Sequence, residues 1–219
     1  MKIIVCIKQV PDTTEVKLDP KTGRLIRDGV PSIINPDDKN ALEEALHIKD
    51  ENPDTTVTVV SMGPPQADVA MREALAMGAD EAILISGREF GGSDTWATSY
   101  IIATAIKKIP DYDIIFCGRQ AIDGDTAQVG PQIAEQLNIP QITYVQKLDI
   151  EGDKVIVQRQ LEDGYTVVEA KMPVLLTAIK ELNTPRYMTP KGIFEAYNKT
   201  VQVWGFNDVP VDAEKIGLK

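Results

Sequence analysis

Four short apolar runs alternate with four segments of helical spacing over residues 2–137, and few folds are open to a chain written this way. The runs are 2–8, 55–60, 82–85 and 112–117. Thr55-Thr56-Val57-Thr58-Val59-Val60 is β-branched throughout, which suits a pleated, half-buried strand. Asn35-Pro36-Asp37-Asp38 opens the first helix, with either aspartate as its cap, and Ala41, Leu42, Ala45, Leu46 and Ile48 give it an apolar stripe. Ala67, Ala70, Met71, Ala74 and Leu75 recur at i, i+3, i+4, i+7 and i+8, so a second helix packs back on the sheet, and Gly78 closes it. A third helix runs from 95 to 108 and a fourth over 126–137. Strands linked by helices in this order pair in parallel through right-handed crossovers. The fold expected is α/β: an open, mostly parallel sheet with helices on both faces, Rossmann-like and suited to an adenine nucleotide.

The rhythm changes after Pro140. Residues 141–148, 153–159, 165–171 and 174–179 read as four strands, with Glu151-Gly152-Asp153 and Glu162-Asp163-Gly164 as tight turns, and they are expected to extend the sheet with antiparallel strands. Upstream, residues 12–34 form a turn-rich excursion in which Pro20-Lys21-Thr22-Gly23 closes a small hairpin. From Asn183 onward Pro185, Pro190 and Pro210 interrupt the pattern. Tyr187, Tyr197, Trp204 and Phe206 are costly to leave in water. The division expected is an α/β nucleotide-binding domain over 1–182 and an extended arm over 183–219 that lies on a partner chain.

Ligands of open parallel sheets bind beyond the carboxyl ends of the strands, where the strand order reverses. The loops at 6–10, 34–38, 61–65, 86–95 and 118–130 leave strand ends or sit beside them, positioned to line one crevice. The last is the most telling. Gly118-Arg119-Gln120-Ala121-Ile122-Asp123-Gly124-Asp125-Thr126-Ala127-Gln128-Val129-Gly130 joins the apolar strand ending at Cys117 to a helix. Free N–H groups and the positive end of the helix dipole converge at such a junction, which is where α/β proteins hold phosphate. It is not a Walker loop, because no Gly-Lys-Ser/Thr occurs, and it is not GxGxxG. Calcium is not a strong reading, since Ala127 and Ala134 stand where an EF-hand needs ligands. A magnesium site on Asp123 and Asp125 stays open, although carboxylates beside a phosphate repel it unless a metal intervenes. The role assigned is structural: Asp123 or Asp125 caps the helix, while the Thr126 hydroxyl, the Gln128 amide and the backbone up to Gly130 meet the phosphate. The competing reading is a well-capped helix start with no ligand.

The remaining chemistry is sparse. Cys6 and Cys117 make neither CxxC nor a metal spacing, and read as buried free thiols. No metal site and no catalytic acid, base or nucleophile is assigned; His47, the single histidine, falls on an amphipathic helix as a surface residue. A net charge of −10 argues against nucleic acid, which needs a basic face. No run approaches a membrane span, and Met1-Lys2-Ile3-Ile4-Val5-Cys6-Ile7 is too short and strand-like for a signal peptide, so a cytoplasmic location is expected.

Several ordered segments resemble the β subunit of electron transfer flavoproteins. They are Val5-Cys6-Ile7-Lys8-Gln9-Val10-Pro11, Asn35-Pro36-Asp37-Asp38, Ser61-Met62-Gly63-Pro64, Ala74-Leu75-Ala76-Met77-Gly78-Ala79-Asp80 and the stretch from Cys117 to Pro131. Val157-Gln158-Arg159, Glu162-Asp163-Gly164, Lys171-Met172-Pro173-Val174 and Asn183-Thr184-Pro185-Arg186-Tyr187 complete the likeness, which covers residues 1 to about 200. The resemblance implies an obligate heterodimer with an α subunit that holds the common redox flavin. It also implies an adenine nucleotide here, held by Cys6, Asn35, Asp38, Ser61, Met62, Asp123, Gly124, Asp125, Thr126, Ala127, Gln128, Val129 and Gly130.

The family divides on that nucleotide. One branch keeps AMP, which only stabilises the fold. The bifurcating branch keeps a second FAD, which takes hydride from NADH and splits the electron pair. One electron goes to ferredoxin or flavodoxin and the other through the α flavin to an acyl-CoA dehydrogenase or related acceptor. The wording of 123–131 and of Arg88-Glu89-Phe90-Gly91-Gly92-Ser93-Asp94-Thr95 resembles the bifurcating, anaerobic branch. In the second loop Phe90 is expected to offer a flat apolar face, Gly91 and Gly92 to admit a ring system, and Asp94 or Thr95 to begin a helix, against the simpler reading of an ordinary loop-to-helix turn. The expected ligands are therefore FAD and NAD(H), with AMP as the alternative. A stand-alone adenine-nucleotide sensor domain is the reading from another class. Two departures stand out: Pro190-Lys191 lies near where the mitochondrial type carries a partner-anchoring leucine, and family β subunits usually run further, with a C-terminal arm, where this sequence stops at Lys219.

Overall fold

A computed structural model of the chain describes residues 1–12 and 31–217. The hairpin expected at 20–23 lies outside the described residues. Strand β1 (Lys2–Cys6) leads into β2 (Gln9–Pro11), which pairs antiparallel with β3 (Ser32–Ile34). Helix α1 (Pro36–Glu51) follows, then β4 (Thr56–Met62), α2 (Asp68–Met77), β5 (Glu81–Ile85), α3 (Thr95–Ile106), β6 (Ile114–Gly118) and α4 (Val129–Leu137). The second half adds β7 (Gln141–Glu151), β8 (Lys154–Leu161), β9 (Gly164–Lys171), β10 (Val174–Ala178), α5 (Pro190–Asn198) and β11 (Val201–Trp204).

One nine-stranded sheet runs β11-β5-β4-β1-β6-β10-β7-β8-β9. Every neighbouring pair from β11 to β7 is parallel, and β8 and β9 close the far edge antiparallel. Alternate residues on each strand feed different faces, as the pleat requires. Ile3, Val5, Ile114 and Phe116 pack under α1 and α2, while Ile4, Cys6, Ile115 and Cys117 pack under α3 and α4. The order reverses at β1: the chain winds one way through β4 and β5, then returns to lay β6 on the other side. The crevice of a doubly wound sheet opens there.

Four expectations change. The strand at 174–179 is not antiparallel; β10 is an interior parallel strand between β6 and β7. All five of its residues are buried, four of them apolar, as a strand covered on both faces needs. The fourth helix begins at Val129, not 126, because Asp125 and Ala127 take positive φ (48° and 52°) and cannot join it. Neither Asp123 nor Asp125 caps it; its N-cap is Gln128, with no side-chain cap bond. Neither Asp37 nor Asp38 caps α1, whose N-cap is Asn35. By contrast Asp94 does cap α3, its carboxylate accepting the Ala97 N–H at 2.8 Å, and Gly78 does end α2, at φ 132°.

The segment after 183 is not extended throughout. Helix α5 lies on α2, where Arg72 Nη1 donates to the carbonyls of Ala196 (2.8 Å) and Lys199 (2.6 Å). Strand β11 then pairs with β5, and Trp204, Phe206, Val209 and Ile216 cross to the face under α3. The segment therefore wraps the β5 edge. Proline spacing hid this, because each element is short and its partner strand lies about 120 residues upstream. Tyr187, Phe194 and Tyr197 nonetheless stay more than 70% exposed.

Candidate nucleotide cleft

A cleft of about 1190 Å³ opens at the carboxyl ends of β1, β4, β5 and β6. Its depth comes from the fork between β1 and β6. There the Asp38 carboxylate accepts the Lys8 N–H (2.8 Å) through one oxygen and the Gly118 N–H (2.9 Å) through the other. Two strand-end N–H groups that would otherwise face a ligand are thus satisfied by the chain itself. Burial outweighs both bonds and raises the Asp38 pKa from 3.8 to about 7. A carboxyl whose folded-state pKa is raised binds protons more tightly folded than unfolded. Its contribution to stability is fully present below about pH 4 and is lost as pH rises through about 7. The melting-temperature difference between the native protein and Asp38→Asn should therefore shrink as pH rises from 5 to 8. A pH-independent difference across melts in that window would show that Asp38 does not titrate there.

The loop after β6 is held by side chains from α1's start. Asn35 Nδ2 donates to the Gln120 carbonyl (2.8 Å), and its Oδ1 accepts the Ile122 N–H (3.0 Å). Gln120 Nε2 donates to Asp125 (2.9 Å), and the Gly124 and Asp125 N–H groups turn back to the Ala121 carbonyl (3.2 and 2.9 Å). Lys8 Nζ pairs with Asp123 at 2.6 Å. Arg119 pairs with Asp37 at 3.3 Å and lies 5.8 Å from the Tyr144 ring centroid. Burial raises the Asp37 pKa and the Arg119 guanidinium opposes it. A bridge joins the two main loops: the Thr95 hydroxyl donates to Gln128 Oε1 at 3.0 Å.

Two features of the wall suit a phosphate. Helix α4 starts in the cleft with no side-chain cap, so its first N–H groups and its dipole face the space. The helix start also sits low on the sheet: a Cβ on Gly130 would lie 3.0 Å from Thr177 Cγ2 and 3.5 Å from Cys117 Cβ.

Of the residues expected to hold the nucleotide, Cys6, Asp38, Met62, Gly124, Asp125, Thr126, Ala127, Gln128, Val129 and Gly130 line this cleft, and so do Phe90, Gly91, Gly92 and Thr95. Three do not. Asn35 is fully buried behind the loop it staples. Ser61 is 1% exposed, beneath the wall. The Asp123 carboxylate is turned to Lys8. Phe90 keeps its place in the wall, but its ring is 3% exposed and lies 6.3 Å, centroid to centroid, from Phe206, so it presents no free face. Sequence reasoning missed Arg88 and Val203 as wall residues. Arg88 stood inside a quoted motif, whereas Val203 enters only through the pairing of β11 with β5.

Cys6 and Cys117 are register partners on β1 and β6, both buried and unbonded to each other as a disulfide. A hydrogen bond from Cys6 and burial push the Cys117 thiol well up, away from reactivity. Among the described residues no group of three or more side chains is placed to hold a metal, and no helix is long and apolar enough to cross a membrane.

The family model described as "Electron transfer flavoprotein domain" matches residues 22–209. The chain is 66% identical over its whole length to "Electron transfer flavoprotein subunit beta" of Thermoanaerobacterium thermosaccharolyticum, covering 84% of that protein. It is 61% identical to "Caffeyl-CoA reductase-Etf complex subunit CarD" of Acetobacterium woodii, covering 83% of it. It is 53% identical to "Acryloyl-CoA reductase electron transfer subunit gamma" of Anaerotignum propionicum, covering 84% of it. In each case the match spans all of this chain.

Proposed function

Because this chain belongs to the electron transfer flavoprotein family as a β subunit, we propose that its cleft holds FAD and receives NADH, in a heterodimer with an α subunit. The single observation that carries this reading is the reach of the cleft. It runs from the start of α4 to the loop at 86–95, and its volume of about 1190 Å³ exceeds what one mononucleotide needs. The residues present fit such a group. The uncapped N–H groups of Val129 and Gly130 and the hydroxyl of Thr126 would meet phosphate. The backbone of Cys6 and the side chain of Met62 would flank the base.

When bound, the flavin supplies the hydride and one-electron chemistry. The chain's own work is to position and insulate. Asn35 fixes the phosphate loop, Asp38 closes the fork beneath it, and the apolar walls of Met62, Ile102 and Ile133 keep water away from the rings. Such a group would supply one-electron chemistry toward ferredoxin or flavodoxin and, by way of the α subunit, toward an acyl-CoA dehydrogenase or related enzyme. The names of the caffeyl-CoA and acryloyl-CoA reductase relatives support an acceptor of that kind. The exposed Tyr187, Met188, Phe194 and Tyr197 supply apolar surface for partner contact.

The test is the cofactor content of the co-expressed heterodimer, released by acid and quantified by chromatography. Two FAD and no AMP per heterodimer are expected, with NADH reducing bound flavin. One FAD and one AMP would make this nucleotide structural and would remove NADH from the reading.

A further inference from the structure

Three cations line the cleft: Lys8, Arg88 and Arg119. Two are already neutralised, Lys8 by Asp123 and Arg119 by Asp37. The Arg88 guanidinium makes no ion pair and no hydrogen bond among the described residues. That stands out in a chain with 33 acidic and 23 basic residues, where carboxylates are in excess.

The backbone beneath Arg88 is fixed. It begins the 3-10 turn Arg88–Phe90, closed by Phe90 N–H to the Gly87 carbonyl (3.3 Å) and Gly91 N–H to the Arg88 carbonyl (3.1 Å), and anchored by the buried Phe90 ring. Its acidic neighbour Glu89 is not in the wall; that carboxylate lies over Gly87, where a Cβ would come within 2.9 Å of it. The nearby start of α3 offers no anion site, since Asp94 occupies it. Of the other two carboxylates in the wall, Asp38 accepts the Lys8 and Gly118 N–H groups and Asp125 accepts from Gln120. So the cleft has two separate places for negative charge: the start of α4, and Arg88 in the loop at 86–95.

We propose that Arg88 binds the diphosphate of the nicotinamide dinucleotide, while the start of α4 serves the resident nucleotide. This rests on the reading above that the cleft receives NADH beside FAD. A guanidinium fork matches two phosphate oxygens at once, and it does so without first breaking an internal pair.

The heterodimer carrying native Arg88, Arg88→Ala or Arg88→Lys decides it. Equilibrium binding of NAD+ by calorimetry is measured beside steady-state oxidation of NADH with a one-electron dye. In Arg88→Ala, Kd for NAD+ and KM for NADH should each rise about tenfold, with kcat within about twofold and flavin content unchanged. Arg88→Lys should fall between, since it keeps charge and loses the fork. Unchanged Kd and KM would overturn the assignment. So would loss of flavin, which would give Arg88 to the resident nucleotide, or loss of the heterodimer, which would give it to the partner subunit. A native heterodimer that binds no NAD+ removes the NADH reading and this assignment together; one that binds NAD+ as tightly with alanine at 88 removes this assignment alone.

Discussion

Gly118→Ala is expected to leave the heterodimer without its cleft nucleotide and to lower its stability by about 3 kcal/mol. The reason is the closeness of α1 to the end of β6. A Cβ at 118 would run into Asp38 Oδ1 and would lie 2.6 Å from the Asp38 nitrogen and 2.8 Å from the Asp37 carbonyl carbon. Two of those neighbours are backbone, so no rotamer change relieves the clash; α1 must lift. Lifting it breaks the Gly118–Asp38 bond and draws Asn35 away from the loop at 120–122. Stability and occupancy should therefore fall together, as read by thermal unfolding and by nucleotide released per heterodimer. Gly124→Ala is the comparison. Nothing lies within 4 Å of a Cβ there, so its stability should stay within about 0.5 kcal/mol of native. Retention of full nucleotide by Gly118→Ala would show that the fork between β1 and β6 does not shape the site.

The same contrast shows what could be read from the sequence. Periodicity in the first 137 residues locates the strands, the helices and the end of the sheet where the cleft opens, because each βα unit is local and its apolar spacing is direct. The glycines of 118–130 were recognised as a group, but the sequence does not rank them. Gly124 faces open space, Gly130 rests on Thr177, and Gly118 is pinned by a helix that starts 82 positions earlier, at Pro36. The aspartates were misassigned for a related reason. A helix start favours a nearby carboxylate as its cap, yet Asp38 and Asp123 have stronger partners reached only through the fold: two strand-end N–H groups for one and Lys8 for the other. Asn35, expected from the sequence to touch the nucleotide, does not line the cleft; it reaches it through the Gln120–Ile122 backbone. The later strands were located well and oriented less well. Turns announce a hairpin between β7, β8 and β9, whereas nothing local says that β10 slips in between β6 and β7.

Arg186→Ala is expected to cost about 3 kcal/mol and to free the segment that carries the exposed aromatics. Arg186 Nε lies 3.0 Å from both oxygens of Glu43, whose side chain is 2% exposed, and its own backbone N–H donates to the same carboxylate at 2.9 Å. Nη2 reaches Asp50 at 2.7 Å. Removing the guanidinium leaves a buried carboxylate with His47 at 2.8 Å as its remaining side-chain partner. Three residues earlier on each segment Asn40 and Asn183 exchange bonds, Nδ2 of Asn40 to the Asn183 carbonyl (2.8 Å) and Nδ2 of Asn183 to the Asn40 carbonyl (3.0 Å). Helix α1 thus grips residues 183–186 at successive turns, and Tyr187 and Met188 emerge directly from that grip. Loss of the clamp should lower the melting temperature and speed proteolysis after Lys180 or Lys191, while nucleotide content stays near native because Arg186, Glu43 and Asp50 do not line the cleft. The double variant Glu43→Met, Arg186→Leu should recover most of the stability, since a buried ion pair replaced by apolar side chains of similar size often costs little. If the double variant is no more stable than Arg186→Ala, the loss belongs to packing of the arginine stem rather than to a stranded charge. Dehydrogenase or reductase docking should then separate the two roles: the double variant restores the fold of the clamp, and with it the placement of Tyr187, without restoring any charge at 186.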